Sequence, residues 1–231
     1  MPLALLALPL VTAAQDMAGV PDGSPLPQVY SFNAQTGRLA ALVFESSQTG
    51  NSGRSHHHVV VATQWSGRLL WADGPDCAGE FRVDVAGLVA DDPEERKAED
   101  IGPPLTDVDQ RKVNEHLRER DQLFAVKFPS IEYRVKSCTA SDDEHFTILG
   151  DFTLRGVSKE VAFRVKADES DSTLSLSGEG SITHTAFGFE PYYALFGQRQ
   201  NQDRMRLTIR VTGESVGPNA PLTAPLIEDS R

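Results

Sequence analysis

The chain has 231 residues, 39% of them hydrophobic and 24% charged, with a formal net charge of −11. That is the balance of a soluble globular protein large enough to bury a core without staples, and it excludes wholesale disorder and a disulfide-dense miniprotein. Thirty-three Asp and Glu against 22 Lys and Arg leave no basic footprint, which excludes nucleic acid and anionic membrane surfaces as partners.

Residues 1–14, MPLALLALPLVTAA, carry no charge and end in the small residues Thr12, Ala13 and Ala14. The apolar run is short of the roughly 20 residues that span a bilayer. It matches the apolar region of a secretory signal, although no Lys or Arg precedes it. A signal segment at 1–14, and with it a periplasmic or secreted protein that does not span the membrane, is expected. Residues 15–27 form a Pro/Gly linker.

From 28 to 212 the dominant period is two. Phe81, Val83 and Val85 alternate with Arg82, Asp84 and Ala86; Ile131, Tyr133 and Val135, then Val161, Phe163 and Val165, and finally Met205, Leu207, Ile209 and Val211 repeat the pattern. Strands with one apolar and one polar face are half-buried and antiparallel. They are expected near 28–34, 38–45, 58–70, 79–90, 130–138, 145–154, 159–167, 173–184 and 203–212, a series that makes an all-β sandwich or barrel. Leu154-Arg155-Gly156-Val157 reads as a tight hairpin, with Gly156 supplying a positive φ.

Other segments break the period. The acid-rich run Asp91, Asp92, Glu94, Glu95, Glu99, Asp100 lacks calcium-loop spacing and contains Arg96 and Lys97, so a solvated loop is expected there. Residues 107–121 predict one surface helix, with Thr106 as N-cap, Asp107 and Asp109 at the positive end, and a thin stripe of Val108, Val113 and Leu117. The stretch 185–202 holds five aromatics, Phe187, Phe189, Tyr192, Tyr193 and Phe196. They are costly to leave wet, so a lid or plug over apolar surface is expected. Residues 213–231 read as a Pro-rich disordered tail.

Of the chemistry-bearing residues, His56-His57-His58 is the loudest group. On a strand His56 and His58 share a face and present two imidazoles to a metal, or else form a polar rim or a solvated patch. Nucleophile elbows and phosphate loops are absent, so no catalytic residue and no cofactor is expected. Cys77 and Cys138 have no zinc-finger spacing; in an exported protein they can pair, and otherwise they are two buried thiols. Phe81, Val83, Ile131, Tyr133, Phe163 and Leu176 either line a tunnel or pack one another, because a barrel of about eight strands allows both.

The segment Gly150-Asp151-Phe152-Thr153-Leu154-Arg155-Gly156-Val157-Ser158-Lys159-Glu160-Val161 resembles the strand–turn–strand signature of the YceI-like family. Val29-Tyr30-Ser31-Phe32, Phe81 to Val85, Phe128-Pro129-Ser130-Ile131 and Thr185 to Phe189 are similar to further family segments in the same order. Asn33 and Thr36-Gly37 depart from the family's first hairpin. The resemblance covers about residues 28–212. It implies an extended, lipocalin-like antiparallel barrel of about eight strands with one helix, a periplasmic location and a tunnel for an isoprenoid chain. It further implies binding, storage or transport of an apolar chain lipid, without enzymatic activity. Phe81, Val83, Ile131, Tyr133, Phe163 and Leu176, with Phe187 and Phe189 of the lid, would touch that ligand. The competing readings are a metal-dependent β-barrel enzyme built on His56 and His58, and a solid-core interaction module.

Overall fold

The computed structural model describes residues 27–46, 57–142, 144–170, 172–194 and 199–225. The expected signal segment, His56 and Phe196 lie outside them. The strands are β1 (Gln28–Asn33), β2 (Gly37–Glu45), β3 (His58–Ala62), β4 (Trp65–Trp71), β5 (Ala78–Asp84), β6 (Leu88–Ala90), β7 (Ser130–Ala140), β8 (His145–Leu154), β9 (Val157–Glu169), β10 (Thr173–Thr183), β11 (Tyr193–Ala194) and β12 (Arg199–Ser215). Two α-helices, α1 (Pro93–Ala98) and α2 (Asp107–Leu117), lie between β6 and β7.

Every pairing is antiparallel. The order β1-β4-β5-β7-β8-β9-β10-β12 returns to β1 through Tyr30↔Ser215 and Ser31↔Glu214, which closes an eight-stranded barrel. Strand β12 is longer than its neighbours and pairs with β2 from Asn201 to Val211, so β2, β3 and β6 extend the sheet beyond the closure. The β8–β9 hairpin turns on Arg155 (φ 53°) and Gly156 (φ 75°). Two consecutive left-handed residues match the twist of the flanking strands, and glycine takes the second without strain.

Two expected strands are each broken in two. The stretch 58–70 divides at Thr63–Gln64 into β3 and β4, and 79–90 divides at a 3-10 turn, Val85–Gly87, into β5 and β6. The Asp84 carboxylate accepts from the Ala86 amide and starts that turn, a local bond that outcompetes the ladder. The two breaks face each other: Thr63 donates from both its amide and its hydroxyl to the Gly87 carbonyl, and the Asp84 amide donates to Gln64. At this step the chain passes between the closed barrel and its extension.

The acid-rich run is not a solvated loop. Asp92 caps α1 by accepting from the amides of Glu94 and Glu95, with Pro93 in the first turn, and Asp91 and Arg96 are each only 1% exposed. Helix α2 ends at Leu117, short of the expected 121, and Val108 stands 49% exposed. The helix is docked by polar side chains as well as by Leu117, which packs against the barrel core. Asn114 accepts from the Ala90 amide at 2.8 Å and donates to the Ala90 carbonyl at 3.0 Å, Gln110 donates to the Asp91 carbonyl and Arg118 to that of Leu88. Strand β6 ends the extension, and these side chains satisfy its bare backbone as a further strand would.

The barrel's aromatic rings lie along the wall. Phe81 pairs with Gly67 across β4–β5 and Phe163 with Gly180 across β9–β10. A Cβ at Gly67 would stand 2.1 Å from the Phe81 ring. Gly67→Ala is therefore expected to force Phe81 off its rotamer, at about 1–3 kcal/mol of overpacking, read as a lower denaturation midpoint with unchanged m; an unchanged midpoint would show that the ring moves freely.

Cys77, just before β5, is bonded to Cys138 of β7, and both are fully buried. Strand β12 continues through Gly213 and Glu214 to Ser215, into the stretch expected as a tail. Past it, the carbonyls of Pro221 and Pro225 accept from Arg68 and Ser66 of β4 at 2.9 and 2.6 Å. No described helix is long and apolar enough to cross a membrane.

Candidate functional site

Period-two strands aim alternate side chains at the barrel interior. Because the large rings lie flat on glycines, those side chains do not fill it. A cavity of about 660 Å³ remains. Its wall is built from alternating residues: Leu39, Ala41 and Val43 of β2, Phe81 and Val83 of β5, Ile131, Tyr133 and Val135 of β7, Leu207, Ile209 and Val211 of β12. Phe81↔Tyr133 and Val83↔Ile131 are direct cross-strand pairs.

Of the residues expected to face a ligand, Phe81, Val83, Ile131, Tyr133, Phe163, Leu176 and Phe189 line this cavity. Phe187 does not: it is buried against Phe152, with ring centres 5.8 Å apart. The 3-10 turn Thr185–Phe187 and left-handed Gly188 (φ 76°) separate the two phenylalanines. Tyr133 behaves as an apolar residue, because its hydroxyl lies 3.0 Å from the carbonyls of both Ile148 and Val161 inside the wall. Burial, followed by the charges of Asp151 and Glu160, pushes its phenol well above the ordinary range.

One end of the cavity is polar. The register Val43↔His58 and Glu45↔Asn201 brings the end of β2, the start of β3 and the start of β12 together. Glu45, His58, Gln200 and Asn201 line the cavity there, joined by Lys112 and His116 of α2. The α2 residues were not expected at the site; a helix with a thin stripe gives no sign of which end of a barrel it will cover. Tyr192 reaches across to His116, ring centres 4.6 Å apart and edge-on. The 185–202 stretch thus meets α2 over the mouth, but it does not hide all its aromatics: Tyr192 and Tyr193 are 40% and 64% exposed. Tyrosine tolerates this because its hydroxyl stays hydrated while its ring packs.

Behind the mouth lies a buried charge network. The Asp91 carboxylate accepts from His58 Nδ1 at 2.6 Å through Oδ2, and from Arg96 Nη1 at 2.7 Å and the Val59 amide at 3.2 Å through Oδ1. Arg96 donates further to the carbonyls of His57, Ile101 and Pro103. Asp91 itself has φ 56°, and its amide is tied to the Val59 carbonyl. Burial raises the Asp91 pKa, but the hydrogen bonds and charges of His58 and Arg96 outweigh it and hold the carboxyl below its ordinary value. The His57 ring makes other contacts: its Nδ1 accepts from the Glu45 amide and it sits edge-on to Phe44, with burial lowering its pKa.

The metal reading of His56 and His58 has only His58 within the described residues, and that ring is bonded to Asp91. Among the described residues, the group with metal-ligand proximity is His116, Glu119 and Asp121, at the end of α2 and the turn after it, where the two acids are exposed. His58 is not part of it.

Residues 42–213 match the model of the YceI-like domain. No curated protein matches the sequence. Among solved structures, BcnA of Burkholderia cenocepacia is similar with a TM-score of 0.57 at 12% identity, over 78% of this chain and 98% of that one. A mutant of the Campylobacter jejuni YCEI protein is similar with a TM-score of 0.51 at 16% identity, over 67% of this chain and 83% of that one. At such identities the likeness establishes the fold alone.

Proposed function

The chain belongs to the YceI-like domain family, whose barrels take hydrophobic ligands, and from that premise we propose that it binds, and stores or transports, an apolar chain lipid of the isoprenoid kind. The observation that carries this reading is the cavity of about 660 Å³, walled by the apolar face of half-buried strands and polar only at one end. Binding works by desolvation: each methylene removed from water contributes roughly 0.8 kcal/mol, so a long chain is held without any specific polar contact. Catalysis has no part in this reading. Export to the periplasm, directed by residues 1–14, belongs to it.

Val83 sits on the cavity wall between its partners Trp65 and Ile131. Val83→Trp is expected to occupy cavity volume, to leave the fold stable and to lose the lipid that mass spectrometry finds in an organic extract of the wild-type protein. In a packed core the same change would cost about 1–3 kcal/mol or more. A sharply destabilised variant, together with a wild-type extract free of lipid, would sink the proposal.

A further inference from the structure

We propose, resting on the lipid-binding reading, that the ligand's polar end is an uncharged hydroxyl, as in a chain alcohol, and that His58 Nε2 receives its hydrogen bond. His58 lines the cavity at its polar end. Its Nδ1 lies 2.6 Å from Asp91, a carboxylate that also accepts from Arg96 and the Val59 amide. A carboxylate so held cannot donate, so Nδ1 carries the ring proton. In the neutral ring Nε2 then presents a lone pair, and among the described residues it has no hydrogen-bond partner.

The surrounding charges choose among ligand ends. Glu45 and Asp109 line the same mouth as the single Lys112, and the protein's net charge is −11. A phosphate or carboxylate would meet two acids and a lone pair, whereas a hydroxyl meets an acceptor it can satisfy. Buried polar groups discriminate strongly against a ligand that leaves them unpaired. The Asp91–Arg96 bridge and its carbonyl contacts explain how the loop through Ile101 and Pro103 is held, but they do not require an imidazole facing the cavity.

The test uses delipidated full-length protein at mildly alkaline pH and two probes of equal chain length, a linear prenol and its methyl ether. The prenol is expected to bind wild type about tenfold more tightly, the worth of one well-made buried hydrogen bond, and His58→Phe is expected to bind the two probes equally. In wild type the ¹⁵N resonance of His58 Nε2 should shift with the prenol and not with the ether, a readout independent of any variant. Equal binding of the two probes by wild type, an unmoved Nε2 resonance, or a preference that survives His58→Phe overturns the assignment. If the ether binds and the preference is absent, only this inference fails. If neither probe binds, the lipid-binding reading falls and takes the inference with it.

Discussion

Arg96→Met lowers the unfolding free energy at neutral pH by about 3–5 kcal/mol, the cost of leaving a buried charge without its partner. Asp91 has no exposed surface in its side chain and would face His58 alone. The measurement is a denaturant midpoint, with m unchanged. A second substitution, Asp91→Asn in the Arg96→Met background, removes the orphaned charge and should recover much of the loss. The pH dependence has a definite sign. The folded-state pKa of Asp91 is depressed, so its contribution to wild-type stability is full above the ordinary carboxylate value and is lost as pH falls through the lower, folded value. The gap between wild type and Arg96→Met is therefore widest at neutral pH and narrows on acidification. A constant gap, or none, would show that the charge is not what the guanidinium holds.

The second large effect lies in the covalent tie. Cys77 and Cys138 are 61 residues apart, and on the chain-entropy model a loop of that size contributes about 4 kcal/mol, a large share of the 5–15 kcal/mol by which domains are ordinarily stable. The double variant Cys77→Ala, Cys138→Ala is expected to unfold at a correspondingly lower denaturant concentration. Unreduced protein, once denatured, should titrate no free thiol. A variant as stable as wild type would show that the unfolded chain is already constrained over this loop.

How much of this was legible in the sequence differs from residue to residue. The alternation of Phe81 and Val83, or of Leu207 and Ile209, reports directly that a strand has one wet and one dry face. It cannot report whether the dry face meets a neighbour or a void, since hydropathy is the same in both cases. Here the deciding residues are Gly67 and Gly180, which give Phe81 and Phe163 a place to lie flat; an isolated glycine in a strand carries no such message by itself. The family resemblance, centred on Gly150 to Val161, is what tipped the sequence reading towards a tunnel.

Asp91 and Arg96 were illegible for a different reason. Charged residues are almost never fully buried unless paired, so a run of them reads as solvated. Their partners, His58 and the carbonyls of Ile101 and Pro103, meet them only once β3 pairs with β6. The breaks at Gln64 and Gly87 were hidden because the apolar alternation runs straight through them. Phe187 and Phe189 are alike in the sequence as aromatics of one loop, and nothing in it tells which of the two rings packs on Phe152 and which faces the cavity.

Helix α2 covers the mouth without burying a single residue completely. Besides the partly buried Leu117, its attachment consists of side-chain hydrogen bonds to the edge of β6, and such bonds contribute little net free energy because water replaces them. Lifting the helix is therefore cheap compared with opening the disulfide-tied barrel beneath it. On the lipid-binding reading, how fast cargo is exchanged then depends on one short helix, which also lends Lys112 and His116 to the wall that holds it. Asn114 and Gln110 do not line the cavity, so on that reading substitutions there quicken loading and release without altering what the container accepts.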